Sequence, residues 1–211
     1  MAKNYPSLAF TETIKKLQEK AGSRASYARL EKKVYVEGLT ENEIGFIGHR
    51  DSFYLASIGE NGFPYIQHRG GPPGFLKVLD AKRIGFMDFR GNMQYISVGN
   101  IETNNKVSLI LVDYPARARL KILATASIVE LKDDPALYQL LDLPDYSFKA
   151  ERMMLFHVEA YDWNCPQHIV PRYTVEQIQE AFAPQVNRIA QMEEEIKNLR
   201  SLLKDAALGG K

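Results

Sequence analysis

One stretch of the sequence combines an imidazole, two cationic side chains and an unusual density of glycine and proline. It reads Gln67-His68-Arg69-Gly70-Gly71-Pro72-Pro73-Gly74-Phe75-Leu76-Lys77. Glycine lets a backbone approach a ligand closely, and proline holds a loop in one shape. Arg69 and Lys77 suit an anionic group, most naturally a phosphate. The alternative is an ordinary surface loop with solvated charges, since a Gly/Pro loop alone is a weak indicator.

A second polar segment follows the next predicted strand, which ends near Met87 and Asp88. The turn Arg90-Gly91-Asn92 comes after it, and a short helix is predicted from Met93. Backbone N–H groups at a helix start, with the amides of Asn92 and Gln94, suit a phosphate or an amide edge. The alternative is a plain hairpin connection in which these residues only serve the turn.

A third segment, Tyr161-Asp162-Trp163-Asn164-Cys165-Pro166-Gln167-His168, holds the only tryptophan and the only cysteine. Trp163 could stack on a flat ring while Asn164 or Gln167 binds the polar edge of that ring. A lone tryptophan also commonly fills a core or an interface, so both readings stay open. Cys165 precedes a proline and has no base nearby in the sequence, so a catalytic thiol is not expected.

Composition excludes several other classes of protein. The chain has 27 Lys+Arg and 26 Asp+Glu, a net charge of +1, without the basic excess typical of nucleic-acid-binding proteins. A single cysteine and the lack of an H-E-x-x-H pattern argue against a disulfide and against a metal site. Because no apolar run is long enough to cross a bilayer and no signal peptide is recognisable, we expect a cytoplasmic protein without membrane partners.

The elements that must position these residues are mostly strands. They are predicted at 53–58, 63–69, 75–79, 83–89, 107–112, 120–131 and 152–163. The Gly59–Gly62 turn makes the first two a hairpin, and Pro64 belongs at a strand start or an edge. Short strands at close spacing, with helices outside them, favour an antiparallel barrel or sandwich over βαβ units.

Helices are predicted at 11–21, after the capping box Thr40–Glu43, and after Asp134-Pro135. A further helix begins after Thr174 and is expected to be interrupted at Pro184. Beyond that proline, a coiled-coil a/d repeat of about two heptads is formed by Ile189, Met192, Ile196, Leu199 and Leu203. The alternative is an amphipathic helix packed on its own barrel. The predicted domains are a helical extension (1–39), a barrel (40–174) and a C-terminal helix (175–211).

Four segments taken together resemble a known family. They are FPYIQHRGGPPGFLKVLD, IGFMDFRGNMQYISVGN, NKVSLILVDYP and LKILATA. In this order they resemble the pyridoxamine 5′-phosphate oxidase-like FMN-binding split barrels. The similarity is greatest to the related FMN-binding branch that also carries a DWNCPQH segment, and it covers roughly residues 44–174.

The resemblance implies a mainly β protein: an FMN-binding split antiparallel β-barrel with peripheral helices and a C-terminal amphipathic or coiled-coil helix. It also implies a homodimer with FMN at the interface of two barrels. In the family's pattern an arginine and a lysine on successive strands, the backbone of the next strand and the turn after it hold the cofactor. The candidate FMN-binding residues here are His68, Arg69, Lys77, Met87, Asp88, Asn92, Gln94, Arg119, Trp163 and Gln167.

The activity implied is that of an FMN-dependent oxidoreductase acting on an unidentified small molecule. The isoalloxazine does the electron chemistry, so no catalytic side chain is assigned, although His68 would be the best candidate. Pyridoxamine phosphate oxidase activity is not expected, because the Arg-x-His type substrate motif of that enzyme has no counterpart. The alternatives are a non-catalytic flavin carrier or sensor, and a barrel that binds haem or a deazaflavin beside the weakly basic Asn92-Met93-Gln94 turn.

Overall fold

The computed structural model describes residues 4–32, 37–164 and 166–208, which form two compact units that divide after Ile169. The helices and strands of the first unit are, in chain order, α1 (Tyr5–Ala9), α2 (Glu12–Lys20), α3 (Arg24–Glu31), α4 (Glu41–Gly48), β1 (Ser52–Ile58), β2 (Pro64–Gly70), β3 (Lys77–Asp80), β4 (Arg83–Phe89), α5 (Ile96–Thr103), β5 (Lys106–Asp113), β6 (Ala118–Glu130), α6 (Pro135–Leu141) and β7 (Ala150–Asn164). The second unit contains α7 (Val175–Leu208). The three-domain division remains a prediction.

The strands form one antiparallel sheet in the order β2-β1-β5-β6-β7-β4-β3. Alternate residues of each central strand face the core, because successive side chains of a strand point to opposite faces. In β5 the inward residues are Val107, Leu109 and Leu111, and in β6 they include Leu120 and Ile122. Buried side chains thus alternate with partly exposed ones along both strands.

The sheet curves until its distant strands meet. Phe53 on β1 lies 5.4 Å from Phe86 on β4 between ring centroids, although these strands are second and sixth in the order. Phe53 also packs edge-on against Phe156 of β7 at 6.3 Å. All three rings are at most 2% exposed. The sheet thus wraps around one apolar core, and the predicted mainly β split barrel with peripheral helices is confirmed.

Helix α4 begins with the predicted capping box and packs against the barrel. Glu43 accepts hydrogen bonds from the Thr40 backbone N at 3.0 Å and from Thr40 Oγ1 at 2.6 Å. One turn later Ile47 is fully buried. The other oxygen of Glu43, Oε1, accepts from Trp163 Nε1 at 2.6 Å, so the same carboxylate ties α4 to the end of β7.

The strand limits other than those of β4 differ from the prediction by one or two residues, and two of the differences in the barrel have a clear physical reason. Strand β3 starts at Lys77 instead of residue 75, because Phe75 and Leu76 are buried in the core as part of the preceding loop. Helix α5 starts at Ile96 instead of Met93, because Met93 and Tyr95 both have left-handed backbones with φ of 59° and 54°. A right-handed helix cannot include such residues.

In the second unit, α7 is one 34-residue helix with Pro184 inside it, so the predicted interruption is wrong. Proline removes a single backbone donor and can be accommodated by a bend. The start is as predicted, since Thr174 N donates to Gln177 Oε1 and Gln177 N donates to Thr174 Oγ1. The predicted a/d side chains are 45–71% exposed in the single chain. No helix among the described residues combines the length and apolarity that crossing a membrane requires.

Candidate functional site

A cleft opens beside the seam where β2 approaches β4, and it is bounded by the turn after β4, by α5 and by the start of β7. We call it the seam cleft. Its lining residues are Tyr65, Gln67, Arg69, Asp88, Phe89, Gly91, Asn92, Met93, Gln94, Tyr95, Ile96, Ser97, Val98, Glu151 and Arg152. The structure therefore brings four of the predicted site residues together: Arg69, Asp88, Asn92 and Gln94.

Two arginines converge on one buried carboxylate in the seam cleft. Arg69 Nη1 donates to Asp88 Oδ1 at 2.7 Å, and Arg152 Nη1 lies 3.6 Å from Asp88 Oδ2. The side chain of Asp88 is 5% exposed, and both arginine side chains are 13% exposed. Burial raises the pKa of the Asp88 carboxyl, and the positive charges of Arg69 and Arg152 offset only part of that increase.

A second carboxylate, that of Glu151, organises the outer part of the seam cleft. It accepts from Tyr95 Oη at 3.2 Å and pairs with the adjacent Arg152 at 3.2 Å. Arg90 Nε approaches it from the rim at 3.9 Å. The Arg152 guanidinium also lies 4.8 Å from the centroid of the Tyr95 ring. These contacts hold Arg152 in a fixed position between two acids and an aromatic face.

Sequence analysis missed Arg152, Glu151 and Tyr95. The first two begin β7, and only the pairing of Asp88 with Arg152 across β4 and β7 brings them to Arg69. Alternation of apolar residues predicts the faces of a strand but not its partner in the sheet. The signal available in the sequence was the charged pair Glu151-Arg152 directly before the apolar run Met153–Phe156.

The turn after β4 is built from an unusual backbone. Asn92 Oδ1 accepts from the Gln94 backbone N at 3.2 Å, so the Asn92 side chain stabilises the turn. Met93 and Tyr95 are non-glycine residues with positive φ, a conformation that is energetically costly. Such strain often occurs at sites that bind ligands. Both the turn and the ligand interpretation of Asn92 are therefore compatible with its geometry.

One donor in the seam cleft is left over. Arg69 Nε is buried and has no hydrogen-bond partner among the described residues. A buried donor without an acceptor is destabilising, which makes it a natural place for an anionic ligand. Two arginines and two carboxylates line the cleft, so their formal charges cancel. The Arg69 Nε donor and the amides of the turn are therefore the polar groups that a ligand could still satisfy.

The backbone of β4 beside the cleft is also available. Within the described residues, β3 pairs with β4 only as far as Gly85, whereas β7 pairs along the other edge to Phe89. Met87 turns its side chain away from the cleft into a second apolar cluster with Leu137 and Met153. Only the main chain of Met87 can therefore serve a ligand there, as the resemblance implies for this position.

Other candidates lie elsewhere in the same chain. His68 is exposed on the face of β2 opposite to Arg69, where its ring meets that of Tyr54 at 5.4 Å. Lys77 is half-buried at the first position of β3, opposite Gly85 on β4. Neither residue lines the seam cleft of its own chain.

Arg119, near the start of β6, and Trp163, near the end of β7, lie at the same end of these two paired strands. Arg119 pairs with Asn164, and Trp163 with Leu120, whereas Arg152 is near the start of the strand. The eleven residue-to-residue steps of strand from Arg152 to Trp163 correspond to roughly 35 Å. Trp163 packs edge-on against Phe46 at 4.8 Å and donates to Glu43, which agrees with the structural alternative for this residue.

The remainder of the third segment contributes little to the cleft of its own chain. Gln167 is exposed in a turn after β7, and Cys165 lies outside the described residues. In the Gly/Pro loop, Gly74 has φ +77° and a Cβ at this position would lie 3.0 Å from Gly48 O. Gly74 is therefore needed for packing against α4, so its presence does not by itself indicate a ligand.

The seam cleft encloses about 50 Å³ in the single chain. That volume holds a few water molecules, whereas sites that enclose a small organic ligand typically measure about 300–1,000 Å³. Among the described residues, no cluster of three or more His, Cys, Asp or Glu side chains could hold a metal ion. The arrangement is thus an open, arginine-containing surface suited to an anionic group.

The fold and this site define a split-barrel protein with a polar cleft at its seam. Residues 39–153 match the family model described as pyridoxamine 5′-phosphate oxidase, and this match spans more than half of the chain. The chain therefore belongs to the pyridoxamine 5′-phosphate oxidase family. The match includes every residue that lines the seam cleft but ends before Trp163 and α7. The expected family membership is confirmed.

Solved structures with similar folds come from several bacteria. A candidate pyridoxamine 5′-phosphate oxidase from Lactobacillus delbrueckii is 25% identical, with 62% of this chain and 98% of that chain covered and a TM-score of 0.48. HupZ of Group A Streptococcus is 18% identical, with 64% and 99% covered and a TM-score of 0.48. A Clostridium acetobutylicum protein related to general stress protein 26 is 18% identical, with 65% and 94% covered and a TM-score of 0.45. No curated protein matches the sequence.

Proposed function

We propose that this protein binds FMN in the seam cleft and acts, as a homodimer, in the oxidation or reduction of a small molecule. The observation that carries the proposal is the buried, unpartnered Nε of Arg69, beside Arg152 and a turn rich in polar groups. A phosphate ester with a flat polar ring requires such donors. Family membership supports the same ligand class.

Each part of the cleft has a distinct task in this proposal. The Arg69 guanidinium donates to the phosphate, and the amides of Asn92 and Gln94 add neutral donors at the turn. Arg152 is held by Asp88 and Glu151, so it presents a fixed positive charge instead of a mobile one. The unpaired edge of β4 at Met87 and Asp88 offers main-chain groups to the polar edge of the ring.

A second copy of the chain completes the proposed site. About 50 Å³ in one chain cannot enclose a flavin, so another surface must cover the ring. Lys77, Arg119 and Trp163 do not line the cleft of their own chain, and in the proposed dimer they remain candidates for the site of the partner subunit. His68 lies on an outer face of β2 and is likewise available to a second copy.

FMN, when bound, supplies the electron-transfer chemistry, and the chain binds the cofactor, orients it and sets the charge around it. Asp88 matters most for that charge, because its buried carboxylate lies against both arginines and burial raises its pKa. No side chain is assigned as a catalytic acid or base.

The first experiment is the visible absorption spectrum of freshly purified protein, followed by heat release and chromatography of the chromophore. A yellow protein that releases FMN supports the proposal. Release of haem or a deazaflavin would overturn the choice of cofactor while leaving the barrel a cofactor-binding protein. A colourless protein that also refuses added FMN would contradict the proposal.

The role of Arg69 is tested by comparing ligands with and without a phosphate. We expect Arg69→Ala to weaken FMN binding by about 1.5–3 kcal/mol, the range for a charge-assisted hydrogen bond, and to change riboflavin binding much less. Arg83→Ala is the matched control, since Arg83 lies at the other end of β4 and pairs with Asp80. Equal losses for both ligands would mean that Arg69 does not contact the phosphate.

A further inference from the structure

Helix α7 carries an apolar stripe that extends through its whole described length. In a heptad frame that places Val175 at position a, the a residues are Val175, Phe182, Ile189, Ile196 and Leu203, and the d residues are Ile178, Gln185, Met192 and Leu199. The apolar members are 45–71% exposed in the single chain. A helix of 34 residues is about 50 Å long, so this stripe is a large unpartnered surface.

The repeat continues across Pro184 without a change of frame. Pro184 falls at position c, on the side of the helix away from the stripe, so its ring does not interrupt the a/d seam. Gln185 is the one polar residue among these a and d positions. The opposite face is charged, and Glu194 and Lys197 form an ion pair there at 3.6 Å. An apolar seam with a 3.5-residue period and a polar back is the pattern of a coiled coil.

The charged residues that flank the apolar stripe of α7 indicate which partner helix packs on it. Position g carries Arg188 in one heptad and Glu195 in the next, and position e of the heptad that follows each of them carries Glu193 and Arg200, respectively. In a parallel, in-register pair of helices, each g residue faces the e residue of the next heptad on the other helix. Arg188 then faces the partner subunit's Glu193, and Glu195 faces the partner subunit's Arg200. Two-fold symmetry repeats both opposite-charge contacts, so a second copy of this chain is electrostatically complementary.

An antiparallel pair does not achieve the same complementarity. In such a pair, g residues face g residues and e residues face e residues. The register that pairs Ile189 with Leu199 brings each Glu193 and each Glu195 close to the same residue of the other helix. The registers one heptad to either side allow either the g–g contact of Arg188 with Glu195 or the e–e contact of Glu193 with Arg200, but not both. The residues at a and d agree with the parallel choice, since Ile189 and Ile196 at a with Leu199 at d favour two strands.

We propose that α7 pairs with α7 of a second copy as a parallel, in-register, two-stranded coiled coil. This interface is independent of the seam cleft and does not rest on FMN binding. It gives the dimer a contact that lies outside the family match at residues 39–153. It also explains why a long helix leaves its apolar side chains uncovered in the single chain, because in water most helical stability comes from packing of such a face.

The proposal is tested by disulfide trapping in the full chain with Cys165→Ser as the background. Leu199→Cys places a thiol at d, where like residues of a parallel pair meet, and Ser201→Cys places one at the outward f position two residues away. We expect mild oxidation to convert Leu199→Cys largely to a covalent dimer and Ser201→Cys hardly at all. Absent or equal trapping of the two variants would overturn the proposal. So would trapping of Ile189→Cys to Leu199→Cys in a mixture without trapping of Leu199→Cys to itself, because that result indicates antiparallel helices.

Charge exchange gives a second measurement on the same background. Arg188→Glu should slow trapping of Leu199→Cys by about fivefold, since it places like charges at two symmetric contacts. Adding Glu193→Arg should restore the original rate. A rate that the second substitution lowers further would contradict the parallel register. Circular dichroism of each variant confirms that the barrel and the helix are still folded.

Discussion

Arg69 and Asp88 form an ion pair at 2.7 Å although their strands, β2 and β4, are first and sixth in a seven-stranded sheet. No ladder of the described residues joins these two strands, so the side chains make the contact that closing the sheet permits. Arg69 also lies over the ring of Phe86, which belongs to the barrel core. The pair therefore connects the closure of the barrel to the wall of the seam cleft.

Removal of this contact should destabilise the fold. Arg69→Met leaves the buried Asp88 with Arg152 at 3.6 Å as its positively charged neighbour, and we expect a loss of about 2–3 kcal/mol in the free energy of unfolding. Urea unfolding of the ligand-free protein measures it. Arg83→Met is the control, because both members of the Arg83–Asp80 pair are exposed and such pairs contribute at most about 1 kcal/mol. Equal losses in the two variants would show that Arg69–Asp88 has no special role.

The two buried carboxylates should respond to acid in opposite directions. The pKa of Asp88 in the folded protein is raised above its ordinary value of 3.8. At pH values between the ordinary and the raised pKa, the folded state therefore binds more protons at Asp88 than the unfolded state does. Its contribution to stability therefore increases as pH falls through this window. The stability of the wild type relative to Asp88→Asn should improve between about pH 7 and about pH 4 in urea unfolding. An unchanged difference would mean that the pKa of Asp88 is not raised.

The pKa of Glu43 is shifted in the opposite direction, so its contribution to stability depends on pH in the opposite way. Burial raises the pKa of its carboxyl, but hydrogen bonds from Thr40, Trp163 and Asn42 outweigh burial, and the net pKa lies below the ordinary 4.5. Its contribution is complete above 4.5 and is lost as pH falls through the lowered pKa. The advantage of the wild type over Glu43→Gln should therefore shrink in acid. The amide oxygen of glutamine can still serve the capping box, but its NH2 group cannot accept from Trp163 and Asn42, so the pH dependence of the difference, and not its size, reports the charge.

Local signals were sufficient for most of the barrel. Strand β4 has the predicted bounds, and β5 and β6 lie within one or two residues of theirs, because apolar and β-branched runs bounded by turn residues mark strands. The Thr40–Glu43 capping box is likewise present as predicted. Phe75 and Leu76 were misassigned to a strand because a buried loop and a strand have the same apolar composition.

Only part of the seam cleft could be predicted, because some of its residues are far apart in the sequence. Arg69, Asp88, Asn92 and Gln94 stand near one another in the sequence motifs. Arg152 joins them only through the register of β7 against β4, which a single sequence does not report. The left-handed turn at Met93 and Tyr95 was also missed, since neither residue type favours positive φ.

The hydrogen bond from Trp163 to Glu43 should contribute measurably to stability. Trp163→Phe keeps a ring against Phe46 but removes the Nε1–H donor, and we expect a loss of about 1–2 kcal/mol. Far-UV circular dichroism must follow the unfolding, because the variant contains no tryptophan. In a double-mutant cycle with Glu43→Gln, the two losses should add to more than the loss in the double variant. Strict additivity would rule out a direct interaction.

Finally, the turn beside the seam cleft should be relieved by glycine. Met93 has a φ of 59°, which is unfavourable for a residue with a Cβ, and its sulfur accepts a hydrogen bond from Arg90 Nη2 at 3.3 Å. Met93→Gly removes the steric conflict but gives the unfolded chain more freedom, so we expect a net stabilisation of about 0.5 kcal/mol. Met93→Val should be destabilising by more than about 1 kcal/mol, because a β-branched residue tolerates this conformation poorly. Met93→Leu is the control, since it removes the sulfur contact while leaving a residue with a Cβ at the same positive φ. Thermal unfolding of the three variants measures these effects. A Met93→Gly variant that is less stable than Met93→Leu would contradict the assignment of backbone strain.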